Sequence, residues 1–202
     1  MINKLRRKLI AACMVSLAIV LAVILGGVNL MSYQKVVSDA DAVLALLGAN
    51  GGAFPKNHAG QMERPEDNLP PDGKKGFLDQ RGMSPETPYE SRFFFVLLDG
   101  DGQIVQTNTQ QIAAVDEEDA AAYAQLVLDS GRTTGFLDNY RYLLCQNELG
   151  SQIIFLDCGR SLSSFRTTLL ASVSLALVGL LAVLILLLIL SHRIVRPVAE
   201  GY

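Results

Sequence analysis

The sequence predicts an α+β chain in which two transmembrane helices flank a small extracytoplasmic domain made of an antiparallel sheet and a helix. Three observations carry this. Two long runs without a charged residue stand near the chain ends. A polar, acidic stretch, 32–166, separates them. Within it, the part from Arg92 to Gly159 reads as strand, strand, helix, strand, strand, strand. Average composition shows little of this: 202 residues, a net charge of −3, 50% hydrophobic and 18% charged would fit one or two soluble domains. No block of like charge points to nucleic acid, and three cysteines are too few for a disulfide scaffold.

Leu9 to Met31 contains no charged residue. As a helix it would be about 34 Å long, enough to cross a hydrocarbon core of about 30 Å. Thr167 to Ser191 is a second such run, slightly longer than the first. The first is preceded by Lys4, Arg6, Arg7 and Lys8, the basic flank of a signal peptide as well as of a span. Its apolar stretch exceeds that of a signal peptide, and no small-x-small cleavage site follows, so it reads as retained. The basic residues before the first span, and Arg193 and Arg196 after the second, place both ends in the cytoplasm by the positive-inside rule. Residues 32–166 then lie outside, with a net charge of −8.

Residues 32–47 carry apolar side chains at Val36, Val37, Ala40, Val43, Leu44 and Leu47, which predicts a helical extension of the first span with Gly48 as its stop. A rod that carries strain to the membrane and a juxtamembrane helix packed on the domain predict the same helix. Residues 48–91 hold six of the seven prolines and little apolar periodicity, which predicts a flexible loop.

The compact core of the domain is placed at 92–166. Phe93–Leu98 is an apolar strand ending in Asp99-Gly100-Asp101-Gly102, a hairpin turn signal, and Gln103–Asn108 is the second strand. Asp116–Ser130 reads as a helix, with acids in its first turn and Gly131 beyond its end. Thr133–Leu137, Tyr140–Gln146 and Gln152–Asp157 complete the sheet, the last two joined by a five-residue loop centred on Leu149. That register sets Cys145 opposite Ile153 and Cys158 opposite Tyr140. The two cysteines are then five positions apart, about 17 Å along the sheet, too far for a disulfide.

Few residues suggest chemistry. Asp99 to Gly102 lacks the Glu that an EF-hand loop needs at its twelfth position, where Gln110 stands, so it reads as a turn. Asp116 to Asp119 reads as a solvated helix start. Tyr140, Arg141 and Tyr142 are the candidate ligand-binding residues, with Arg141 available to an anion. Alternation places Arg141 and Leu143 on one face and Tyr140, Tyr142 and Leu144 on the other. No catalytic, cofactor-binding or metal-binding set is present. In the second span, the small residues Ser172 and Ala176 would permit close helix approach.

The strand-and-helix order resembles the second half of a PAS-like or Cache-like sensor domain. After the second span, Ser191-His192-Arg193-Ile194-Val195-Arg196-Pro197 resembles the start of a HAMP linker of bacterial two-component sensor histidine kinases, with Pro197 matching the early proline of that linker. The layout is similar to that family over the whole chain, the motif over about ten residues. His192 reads as an interfacial residue. The chain reaches Tyr202 without the His-Glu box or the glycine-rich ATP-binding segment. The resemblance therefore implies a membrane input module that is not itself a kinase, with Arg193, Arg196 and Pro197 as signal relay. It also implies a homodimer in lipid, an unknown extracytoplasmic ligand, no cofactor, no nucleic acid, and a response regulator reached only through a kinase domain outside this chain. The rival readings are a membrane-anchored binding or structural protein, and the input half of a chemoreceptor or cyclic-nucleotide enzyme.

Overall fold

Helix α1 (Ile2–Ala49) runs 48 residues without a break, and helix α4 (Gly159–Ala199) runs 41. The computed structural model describes residues 2–55, 84, 86–147 and 150–199, with side chains over 7–55, 84, 86–146 and 150–190. Most of the Pro/Gly-rich loop, 56–83 and Pro85, lies outside the described residues, as do His58 and the Glu148–Leu149 tip. The backbone of Arg193, Arg196 and Pro197 belongs to α4; their side chains, with that of His192, lie outside those described. The chain divides into two units: Met1–Val36 with Arg160–Tyr202, and Val37–Gly159.

The first unit is a helix pair. Along each helix one stripe is partly covered at three- and four-residue spacing, including Met14, Leu21, Leu25 and Asn29 on α1 and Leu169, Ser172, Ala176 and Leu180 on α4. Asn29 Nδ2 donates to Leu25 O at 2.8 Å and to Ser172 Oγ at 3.5 Å. The Tyr33 and Phe165 rings lie 5.7 Å apart. The small pair Ser172 and Ala176 thus faces the chain's own α1. The other faces are apolar and bare, with Val23 70% and Leu175 74% exposed. By length and composition both helices could cross a membrane.

The second unit holds the C-terminal part of α1, the single-turn α2 (Thr87–Glu90) and a five-stranded sheet. Its strands are β1 (Phe93–Leu98), β2 (Ile104–Asn108), β3 (Thr134–Leu137), β4 (Tyr140–Asn147) and β5 (Gly150–Asp157), with α3 (Glu117–Ser130) between β2 and β3. The spatial order is β2-β1-β5-β4-β3, every pair antiparallel. The β1–β2 turn is organised by Asp99. Its carboxylate Oδ1 accepts from the N–H of Asp101 at 3.0 Å and of Gln103 at 2.7 Å, and Gly102 supplies φ of 79°.

Helix α3 starts one residue later than the acidic run suggests, because Asp116 is extended and serves as the N-cap, its Oδ1 accepting from Asp119 N at 2.8 Å. Gly131, at φ of 64°, closes the other end. Two expectations are corrected. Gly48 does not stop α1: the helix ends after Ala49, where Asn50 Nδ2 donates to Leu46 O and Gly52 N to Leu47 O, with Gly51 and Gly52 at positive φ. The β4–β5 register also differs by one residue. Cys145 stands opposite Gln152 and Tyr140 opposite Asp157. The connection spans only Glu148 and Leu149, because Asn147 still pairs with Gly150.

Alternation along the strands gives the sheet two apolar faces. One packs under α3: Phe94, Val96, Tyr142, Ile153 and Phe155 form a core with Ala120, Ala124 and Val127. The other carries Phe93, Ile154 and Leu156, and is covered by Ala40, Val43, Leu44, Leu46 and Leu47 of α1, all buried. At roughly 1.5–3 kcal/mol for each large apolar side chain, this second layer is a substantial part of the domain's stability.

Replacing Asp116 by Ala removes the cap of α3 and is expected to lower domain stability by about 1 kcal/mol, read from urea unfolding. An unchanged midpoint would show that the cap carries no weight.

Candidate functional site

The face beneath α1 holds a group of polar side chains that hydrophobic packing does not explain. Arg141, on β4, points to this face with its side chain 14% exposed. Its Nε donates to Asp41 Oδ1 at 2.7 Å and its Nη2 to Asp41 Oδ2 at 3.1 Å, a two-pronged fork between α1 and the sheet. Phe136, the partner of Arg141 on β3, places its ring 4.9 Å from the guanidinium carbon. Asp41 is 45% exposed, so water screens the pair and its net contribution is about 1–2 kcal/mol.

Gln152 lies on the same face, opposite Cys145 on β4 and Leu97 on β1. It is fully buried, and neither Nε2 nor Oε1 has a hydrogen-bond partner among the described residues. An unpaired buried polar group costs roughly 1–3 kcal/mol. The end of α1 closes over this region by way of Gly48. A Cβ there would lie 3.3 Å from Cys145 Sγ and 3.4 Å from Leu143 Cδ2. Burial pushes the thiols of Cys145 and Cys158 up from their ordinary range, and both are free.

The three candidate ligand residues do not share one site. Tyr140 and Tyr142 turn to the α3 face, where Phe94 and Phe155 stack at 4.6 Å and Tyr140 meets Phe94 and Tyr123 edge-on. Arg141 faces α1 and is engaged by Asp41. Burial raises the pKa of Tyr123, helped by Asp138, whose carboxylate accepts from its hydroxyl at 3.4 Å. Burial likewise raises that of Tyr140, helped by Asp157. Among the described residues no three of His, Cys, Asp or Glu gather to hold a metal.

A second polar knot ties β5 to α4. Asp157 Oδ2 pairs with Arg92 at 3.1 Å, its Oδ1 accepts from Gly159 N at 2.8 Å, and Cys158 N donates to Asn139 O at 2.9 Å. Asp41 and Gln152 have no part in the sequence reading. The signal for Asp41 is an acid at the margin of the Val37, Ala40, Leu44 stripe. The signal for Gln152 is a polar residue in step with Ile154 and Leu156.

Compared with known proteins, the chain matches no family model, no curated protein and no solved structure.

A double-mutant cycle of Asp41→Asn and Arg141→Met is expected to give a coupling of about 1–2 kcal/mol; additive losses would mean that the fork is not made in solution. The raised phenols of Tyr123 and Tyr140 keep their protons longer in the folded state than in the unfolded state. They therefore contribute stability that is complete below about pH 10 and lost as pH rises beyond it. Tyr140→Phe is expected to flatten the fall in urea midpoint between about pH 9 and about pH 11. An unaltered slope would count against the burial of this hydroxyl.

Proposed function

We propose that the chain is a membrane signal-sensing input module of the kind found in bacterial two-component sensor histidine kinases. In this reading its second unit is a PAS-like or Cache-like domain outside the membrane, both chain ends are cytoplasmic, and the output lies outside this chain. The observation that carries the reading is the covalent economy at both membrane approaches. Helix α1 passes from its apolar run into the segment that covers the sheet without a break. Strand β5 ends at Asp157 and α4 starts at Gly159, with one residue between. A tether or anchor needs no such continuity, whereas a relay needs connections that do not absorb displacement.

The five-stranded antiparallel sheet with helices on its two faces supports the sensor-domain half of the reading. The helix pair supports the membrane half. A stimulus acts by binding two arrangements of the domain with different affinity, which biases the helices. The fork at Asp41 and the knot at Asp157 are where the two helices are held. In a homodimer two such pairs form a four-helix bundle. Arg193, Arg196 and Pro197 then pass the bias to the output.

Joining residues 1–202 in frame to a HAMP-linked cytoplasmic kinase tests this. Asp157→Ala and Asp41→Asn are expected to shift autophosphorylation by several-fold at equal membrane content. Output indifferent to both would contradict a relay and favour a membrane-anchored binding protein.

A further inference from the structure

The contact between α1 and the sheet combines forces of different character. The side chains of Ala40, Val43, Leu44, Leu46 and Leu47 are buried against the sheet. Apolar burial is non-directional, so a small tilt of the helix keeps most of it. The fork is directional: two parallel bonds fix one position of Asp41 over Arg141. At Gly48 the helix end comes down close against Cys145 and Leu143, where a Cβ would stand 3.3 and 3.4 Å from their side chains. On the same face, opposite Cys145, the Gln152 amide is fully buried, and its nitrogen and oxygen are both unpaired among the described residues. The gain at the fork and the penalty at the amide are of similar size and opposite sign.

Hydrophobic complementarity alone does not select Gln152. Its neighbours in step on β5, Ile154 and Leu156, are apolar and buried. A leucine or methionine would fill the position without the penalty, since replacing a buried polar group by an apolar one of similar shape is often stabilising. The unpaired amide is a cost of the packing described, and hydration would relieve it.

We propose that the Val37–Ala49 segment of α1 has two docked positions on the sheet. In the one described here the fork is closed and Gln152 is shut in. In the other the Gly48 end of the helix lifts, the fork opens to solvent and the amide is hydrated. Arg141 and Asp41 form the latch, and Gln152 is the spring that opposes it. The device is a positioning one, since none of the three residues needs to touch a ligand. It rests on the sensor reading above for its purpose, but it is tested without an output domain, so its failure is distinguishable from failure of that reading.

Cys145 is a reporter already in place, because it is half-buried beneath Gly48. The full chain in lipid nanodiscs is treated with a water-soluble maleimide, and modification of Cys145 is followed by peptide mass spectrometry. Amide exchange of Phe93–Leu98 in the same samples reports global unfolding. Gln152→Met is expected to slow Cys145 modification about ten-fold and Asp41→Asn to speed it about ten-fold, each beyond any change in β1 exchange. Rates indifferent to both substitutions would overturn the proposal, as would rates that follow β1 exchange factor for factor. Should Gln152→Met fail to fold, Asp41→Asn carries the same comparison.

Discussion

A sheet with two apolar faces must be covered twice, and the rest of this structure depends on how the second cover is supplied. Helix α3, with its caps at Asp116 and Gly131, covers one face from within the sheet's own sequence. The other face is covered by the last turns of α1, a helix whose earlier part, Leu9–Met31, is an uncharged run of membrane-spanning length. The domain therefore borrows part of its core from a helix whose other part belongs with α4. Without Leu44, Leu46 and Leu47 the side carrying Phe93, Ile154 and Leu156 would be bare. A bare patch of that kind on a five-stranded sheet invites association.

That arrangement makes the polar residues of the α1 face intelligible. Apolar packing supplies most of the energy, and directional bonds set where the helix sits. Asp41 meets Arg141 near one end of the docked segment, and Gly48 meets Cys145 near the other. Phe136 holds the guanidinium from the β3 side. At the start of α4, Asp157 is shared between Arg92 and the first N–H of that helix. A carboxylate thus stands at each of these points, Asp41 on α1 held by Arg141 and Asp157 at the foot of α4 held by Arg92.

Much of the fold is legible in the sequence because its signals are local. Absence of charge over a span's length, alternation in Phe93–Leu98, the Asp-Gly turn and the capping of α3 each depend on neighbouring residues alone. The β4–β5 register is not local in this sense. A five-residue loop and a two-residue connection place the strands one step apart, and the residues between Asn147 and Gly150 do not choose between them. The end of α1 misleads for a related reason. Gly48 is a normal helix stop in isolation, but here its missing side chain serves contact with Cys145, and the stop falls to Asn50, Gly51 and Gly52. The candidate site was legible only in half. Alternation separates Arg141 from Tyr140 and Tyr142, but nothing near Arg141 in the chain names Asp41, one hundred residues away, as its partner. Gln152 passes for an ordinary strand residue until its burial is known.

The position of Val37–Ala49 as the second cover of the sheet is open to direct measurement. Single cysteines placed along 38–49 of the full chain in nanodiscs, in a background without native thiols, test it by their reactivity with a water-soluble maleimide. Cysteines at Ser38, Asp39, Ala45 and Ala49 are expected to be reactive, and those at Ala40, Val43, Leu44, Leu46 and Leu47 to be protected, a pattern that follows the turns of a docked helix. Uniform reactivity along the segment would contradict it.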